Sequence, residues 1–224
     1  ERMAWYDGPT LLNHLENVHV AADRNMQDCR FPVQYVVRPQ TDEHRDFRGY
    51  AGRVAGGVFK VGDAVVALPS GMGSKVTSIA IGDKQMDMAF PPQSVVMTLA
   101  DDIDLSRGDM LVRENNQPDS IQDLDARICW LGEQPMRPGI RFELHHTSRE
   151  VKAVVKEVVY KLDINTLHRL EEDLSIGMND IARVRIRTAA PLLVDDYRRN
   201  RATGSFILVD PGTRLTVAAG VLYT

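Results

Sequence analysis

Apolar side chains recur at every second position in much of the chain after residue 30. Phe31, Val33, Tyr35 and Val37 show this period, which is typical of a half-buried β-strand. Turn residues such as Gly62 and the Pro91-Pro92 pair separate further runs of this kind. Because closure leaves no exposed sheet edge, we expect these short strands to form a small closed barrel. The other strands predicted in this half are 50–55, 64–68, 75–81, 94–99 and 110–113.

The strand pattern resumes after a polar, proline-bearing stretch at 115–120, which we interpret as an interdomain linker. The pattern predicts a second barrel in this half, although residues 162–173 favour one or two irregular helical turns instead. The strands predicted here are 126–131, 140–146, 151–160, 181–188, 205–209 and 214–222. We therefore place the first barrel at 25–116 and the second at 117–224.

The segment 1–24 has a different pattern, and we predict that it forms a short helix and a linker. Leu11, Leu12 and Leu15 fall at helical spacing, and Thr10 can cap the first turn. A helix of this length is marginal by itself, so we expect it to dock on another surface. The predicted fold class is all-β: two consecutive small closed β-barrels with a short N-terminal helix.

Composition limits the classes of function. The 224 residues are 43% hydrophobic and 26% charged, which is typical of a soluble globular protein. The net charge of −4 argues against nucleic acid as a partner, and no apolar run approaches the roughly 20 residues that span a bilayer. Cys29 and Cys129 are predicted to be free thiols in a reducing compartment. We therefore expect a cytoplasmic protein that binds no membrane.

The sequence lacks motifs for catalysis, phosphate binding or metal binding. It contains neither the Gly-x-x-x-x-Gly-Lys-Ser/Thr phosphate loop nor a Gly-x-Ser-x-Gly elbow. His145 and His146 are adjacent on a predicted strand, so their side chains point to opposite faces. Asp101, Asp102 and Asp104 lack the glycine and glutamate of an EF-hand loop. We therefore predict no catalytic, cofactor-binding or metal-binding residue.

Five charged residues are candidates for an interface. Arginine binds carboxylates and phosphates through two hydrogen bonds, which suits contact with another domain, a second subunit or a nucleotide. The alternative is a salt-bridged surface loop that includes Asp195 and Asp196. The candidates are Asp46, Arg48, Arg198, Arg199 and Arg201.

Several segments resemble a known family. The runs 46–54 and 60–71 are similar to the second-domain barrel of translation-factor-like GTPases. The chain resembles in particular the large, GTP-binding subunit of bacterial sulfate adenylyltransferase (ATP sulfurylase). Its most selective features are Arg107-Gly108-Asp109 and the run Asn-Arg-Ala-Thr-Gly-Ser-Phe at 200–206. The remaining similar segments are 102–109, 130–135, 163–167 and 200–210. Residues 5–12 resemble the end of the GTPase domain of that subunit, so the resemblance implies that 1–24 is the end of a GTPase domain and a linker.

The resemblance implies a function that composition does not reveal. In that family a GTPase domain precedes two barrels of the translation-factor domain II and III type, and a separate catalytic subunit makes adenosine 5′-phosphosulfate and pyrophosphate from ATP and sulfate. GTP hydrolysis drives the reaction, so GTP and magnesium are implied for the full-length subunit. Some members carry a fused adenylylsulfate kinase domain. This chain would then be the non-catalytic two-barrel portion, inactive alone.

Two alternatives remain open from the sequence. The barrels could be the tRNA-binding part of a translation elongation factor-like GTPase, although the acidic composition disfavours this function. They could also form a stand-alone interaction module, because a fold does not by itself define a function.

Overall fold

The computed structural model describes residues 5–18, 24–39, 47–172 and 174–223. Helix α1 (Leu11–Asn17) begins as predicted after Thr10, whose hydroxyl oxygen accepts a hydrogen bond from the Asn13 backbone N–H at 3.2 Å. None of its side chains is buried against the described residues. Among these residues no helix combines the length and apolarity that crossing a membrane requires.

Within the described residues, nine strands form the first half of the molecule. Six of them hydrogen-bond in the order β4-β9-β1-β2-β8-β5, and pairing of β4 with β5 closes the ring. Strand β6 extends β5, and β3 pairs with β7. The strands are β1 (Arg30–Val37), β2 (Gly49–Arg53), β3 (Phe59–Lys60), β4 (Ala64–Leu68), β5 (Met72–Ile81), β6 (Lys84–Met86), β7 (Met88–Ala89), β8 (Ser94–Leu99) and β9 (Met110–Val112).

The second half forms another closed ring. The order is β11-β15-β16-β10-β14-β12, with β12 pairing back to β11 and β13 lying beside β12. These strands are β10 (Asp119–Trp130), β11 (Arg141–His146), β12 (Arg149–Leu162), β13 (Arg169–Leu170), β14 (Ile181–Val194), β15 (Ser205–Val209) and β16 (Thr216–Leu222). The prediction of two consecutive all-β barrels with a short helix is therefore confirmed. Residues 113–118 connect the last strand of the first sheet to the first strand of the second. The predicted domain limits at 24/25 and 116/117 stay predictions.

The predicted alternation in the first strand is wrong beyond Val33. A β-bulge leaves Gln34 without a cross-strand partner, since Val33 pairs with Gly52 and Tyr35 with Ala51. An extra residue shifts every later side chain to the opposite face. Tyr35 therefore lies 67% exposed and not in the core.

The helical turns predicted at 162–173 are also wrong for the described residues of that stretch. Leu162 ends β12 and pairs with Arg169 of β13, with a tight turn between them. The Asp163 carboxylate accepts a hydrogen bond from the Asn165 backbone N–H at 2.8 Å, and such bonds lower the pKa of Asp163. An aspartate that binds its own backbone in this way favours a turn over a helix.

Each barrel has its own apolar core, and a smaller apolar cluster joins the two. The first core contains the edge-to-face pair Phe31 and Phe59, and the second contains Trp130 and Phe142. Leu193, near the end of β14, packs across the junction against the first barrel. Its buried neighbours there are Val66, Met110 and Val112.

We predict that Leu193→Ala lowers the free energy of unfolding by about 2–5 kcal/mol, because it leaves a cavity between the barrels. Urea unfolding followed by tryptophan fluorescence would measure the change. Leu215→Ala is the matched control: that side chain is exposed, so the expected loss is below about 0.5 kcal/mol. Equal losses in the two variants would contradict the packing role of Leu193.

Candidate functional site at the junction of the barrels

A buried ion pair joins the two barrels. Arg30, the first residue of β1, is only 1% exposed and faces Asp195, which follows β14. The Arg30 Nε and Nη2 groups donate to the two carboxylate oxygens of Asp195 at 2.9 and 2.8 Å. The Thr203 hydroxyl donates to the same carboxylate at 2.6 Å. The Arg30–Asp195 contact is therefore bidentate, the geometry in which arginine–carboxylate hydrogen bonds are strongest.

The chain segment that connects the sheets is fixed by the same arginine. Arg30 Nη1 donates to the backbone oxygen of Asn116 at 2.6 Å and to its side-chain oxygen at 2.9 Å. It also donates to the Cys29 carbonyl at 2.9 Å. The polar stretch that the sequence predicts as a linker is therefore held in place at Asn116, and Asp119 and Ser120 already belong to β10.

Asp28 is the second buried acid of the junction, at 4% exposure. Arg199 Nε and Nη2 donate to its two oxygens at 2.6 and 2.7 Å, and the side-chain amides of Asn25 and Asn116 each donate at 2.6 Å. The Arg199 guanidinium, followed by these amides, holds the pKa of Asp28 well below its ordinary value despite its burial. Asp28 therefore remains a carboxylate and binds the 198–201 loop to the first barrel.

Two glycines allow the backbones to approach this closely. A Cβ atom on Gly56 would lie 2.5 Å from the Asp28 carbonyl oxygen and 2.7 Å from the Asn200 side-chain nitrogen. A Cβ on Gly204 would lie 2.4 Å from the Tyr197 Cα. The Asn200 amide donates to the Ala55 carbonyl at 3.2 Å, a contact that this spacing permits.

His146 supports the junction from within the second barrel. It is 1% exposed, and its Nε2–H donates to the Thr203 carbonyl at 2.8 Å. Burial lowers its pKa below the ordinary value near 6.5. The neutral ring therefore orients the residue whose hydroxyl binds Asp195.

Of the four interface candidates that the structure describes, Arg48 lies in the first barrel and the other three lie in the 198–201 loop of the second. Arg48 pairs with Asp102 and donates to the Ile103 carbonyl at 3.1 Å, all within the first barrel. Arg198 lies 5.9 Å from the ring centre of Tyr223, and Arg201 lines a cleft between the barrels. Arg199 spans the junction, and Asp46 lies outside the described residues. A role of these residues in binding another protein stays a prediction.

Sequence reasoning missed the central pair of the junction. Arg30 is a charged residue at the start of an apolar strand, between Cys29 and Phe31, and this context indicates a buried charge. Nothing in the sequence assigns it Asp195 as a partner, since 165 residues separate them. Asp28 and Asn116 carry no such signal either.

The chemistry of the junction is that of a fixed joint. Its charges are paired and hydrogen-bonded, so they hold the two barrels in one orientation. The described residues contain no group of three metal-ligating side chains, and both cysteines are free thiols, with burial raising the pKa of Cys29. Asp101 accepts from the Ser74 hydroxyl at 2.8 Å, and Asp102 pairs with Arg48.

Two closed barrels joined in this way define the translation-factor type of double barrel. The crystal structure of sup35 complexed with GDP superposes with a TM-score of 0.78 at 20% identity, covering 98% of this chain and 53% of that one. Translation elongation factor SelB from Methanococcus maripaludis gives 0.70 at 18% identity, covering 95% and 46%. Similarity at this level establishes the fold alone.

Sequence comparison is more specific. Residues 123–223 match the family described as GTP-eEF1A C-terminal domain-like. The chain is 50% identical over 223 residues to the bifunctional enzyme CysN/CysC of Mycobacterium tuberculosis, covering 99% of this chain and 36% of that protein. It is 44% identical to sulfate adenylyltransferase subunit 1 of Bacteroides thetaiotaomicron, covering 99% and 47%. Almost the whole chain is thus similar to part of these relatives, which confirms the resemblance, and it spans less than half of their length.

We predict that Asp195→Asn lowers the free energy of unfolding by about 3–5 kcal/mol, because Arg30 is then buried without a counter-charge. The double variant Arg30→Met, Asp195→Leu should lose less, since no charge remains buried. Chemical unfolding of the unmodified chain and the two variants would measure the two losses. Glu157→Gln, which breaks a 2.9 Å exposed pair with Arg185, should cost below about 1 kcal/mol. A single variant as stable as this control would contradict the importance of the pair.

We also predict that stability falls as the pH drops below about 6.5. The unfolded chain binds a proton at His146 in this window, whereas the folded protein resists protonation until its lowered pKa is reached. The contribution is at most about 1.4 kcal/mol per pH unit. Urea unfolding between pH 5 and 7 would measure the slope. His146→Gln keeps a donor for the Thr203 carbonyl but does not titrate, so its slope should be smaller; an unchanged slope would contradict the prediction.

Proposed function

We propose that this chain is the non-catalytic, two-barrel portion of the GTP-binding subunit of a sulfate adenylyltransferase. The observation that supports the proposal best is 44–50% identity over 99% of the chain to proteins with that name or the name CysN/CysC. In this proposal the complete cytoplasmic protein uses GTP and magnesium in a separate GTPase domain. Adenosine 5′-phosphosulfate forms from ATP and sulfate on a separate catalytic subunit.

The junction supports a mechanical role for the barrels. The Arg30–Asp195 and Arg199–Asp28 pairs hold the two barrels in one orientation, so the barrels move together as one rigid body. Nucleotide-dependent rearrangements in GTPases are small, and bodies that rotate as a unit can amplify them. We infer that the barrels transmit the state of the GTPase domain to the catalytic subunit.

The exposed groups suggest where the other parts bind. Leu11, Leu12 and Leu15 of α1 are all exposed, and an apolar helix face of this kind favours docking on another domain. We propose the GTPase domain as its partner, and Arg198 and Arg201, with Asp46 and Arg48, as further contact residues. The CysN/CysC name of the Mycobacterium tuberculosis relative supports a fused kinase domain in some members.

The purified 224-residue chain should neither hydrolyse GTP nor form adenosine 5′-phosphosulfate. A version extended to include the GTPase domain should bind the catalytic subunit in a pull-down, and GTP should then stimulate product formation. Nucleotide hydrolysis by the chain alone would contradict the proposal, as would failure of the extended protein to bind the catalytic subunit. Strongly salt-dependent tRNA binding in a gel shift would favour the elongation-factor alternative.

A further inference from the structure

The turn at Arg107-Gly108-Asp109, one of the most selective features of the sequence, contacts the second barrel outside the buried ion pairs. Its neighbour there is the turn between β11 and β12. A Cβ atom on Gly108 would lie 3.3 Å from the Cβ of Arg149. Ser148, at the tip of the β11–β12 turn, is only 4% exposed, although connecting turns usually lie at the surface. The two turns therefore pack directly against each other.

Hydrogen bonds to β1 fix the turn within the first barrel. The Gly108 backbone N–H donates to the Val33 carbonyl at 3.0 Å, and the Val33 N–H donates to the Asp109 carbonyl at 2.8 Å. Arg107 Nη1 donates to the carbonyl of Gln34, the residue in the β-bulge, at 3.3 Å. The first barrel therefore offers the second a surface that is already held in place.

The charges on the two sides of this contact are complementary. Arg107 Nη2 lies 3.5 Å from Glu150 Oε1, and Arg149 Nη1 lies 3.9 Å from Asp109 Oδ1. Each barrel thus contributes one basic and one acidic side chain. Pairs as exposed as Arg107 and Glu150 add little to stability, whereas complementary charges fix the register of two surfaces. We therefore attribute the alignment of the two turns to these charges.

The contact lies at a distance from the buried ion pairs, which both bind the 195–203 segment. On the first barrel, Arg30 and Val33 mark the two places, and three strand residues correspond to about 10 Å. On the second barrel, His146 pairs with Arg149 across the β11–β12 hairpin and binds the Thr203 carbonyl. The same hairpin thus connects both places. Two attachments that lie apart resist rotation of one barrel against the other better than one attachment does.

We propose that the Arg107-Gly108-Asp109 turn is a second docking element, which fixes the rotation of the second barrel together with the buried ion pairs. Gly108 is needed there because any side chain would displace the β11–β12 turn. Arg107 and Glu150 align the two turns. Without this contact each barrel stays folded, but the pair adopts more than one relative orientation. The inference is independent of the proposed function, since it concerns contacts within this chain alone.

Distances between spin labels on the two barrels, measured by double electron–electron resonance, would test the inference. The 224-residue chain would carry the labels at Lys75→Cys on β5 and Lys156→Cys on β12, two exposed positions. The half-buried Cys129 would be replaced in Cys129→Ser, whereas Cys29 is fully buried. We expect one narrow distribution of distances. Gly108→Leu should broaden it or add a second distance, because the leucine side chain forces the two turns apart.

The matched control is Gly62→Leu in another turn of the first barrel. Gly62 and Gly108 have nearly the same φ, +92° and +95°, so a leucine strains both backbones alike. A Cβ on Gly62, however, would meet no atom of the described residues within 4 Å. The distribution should therefore stay narrow in this variant. Equal broadening in the two variants would overturn the proposal, as would a narrow distribution in folded Gly108→Leu.

A charge exchange tests the alignment separately. Arg107→Glu places two carboxylates side by side and should also broaden the distribution. Adding Glu150→Arg restores opposite charges and should make the distribution narrow again, a rescue that a loss of stability would not produce. Circular dichroism and urea midpoints of all variants would show that each is folded. A narrow distribution in Arg107→Glu, or no rescue by the exchange, would overturn the role of these charges.

Discussion

The buried pair of Arg30 and Asp195 sets the relation between the two barrels. Apolar contact through Leu193 favours association but is weakly directional. A guanidinium buried at 1% exposure tolerates few geometries, because any other would leave a charge without a partner in a dry environment. Such pairs add little net stability when desolvation is counted, so we attribute to this one the selection of a single orientation.

The sequence predicts those parts of the fold that depend on local patterns of residues. Strands β4 (Ala64–Leu68) and β8 (Ser94–Leu99) have the predicted limits, because period-2 alternation depends on neighbouring residues alone. The failures at Gln34 and Asp163 are local too, but they involve an extra residue in a strand and a side chain that binds its own backbone. Neither changes the average hydrophobic pattern, so neither is visible in it.

The junction is harder to predict because its partners are far apart in the sequence. Arg199 stands out as an interface arginine, yet its partner Asp28 lies 171 residues earlier in the same chain. Arg30 and Asn116 are 86 residues apart, and a polar stretch around Asn116 has the composition of an ordinary linker. Only closure of both barrels brings these groups together, and composition carries no information on that geometry.

The junction and the cleft between the barrels share one segment of the second barrel. In this segment Asp195 binds Arg30 of the first barrel, Arg199 binds Asp28, and the Thr203 hydroxyl donates to Asp195. Ala202 belongs to the same segment and lines the cleft. Because the Arg30–Asp195 and Arg199–Asp28 pairs hold this loop against the first barrel, they also fix the wall of the cleft that Ala202 forms.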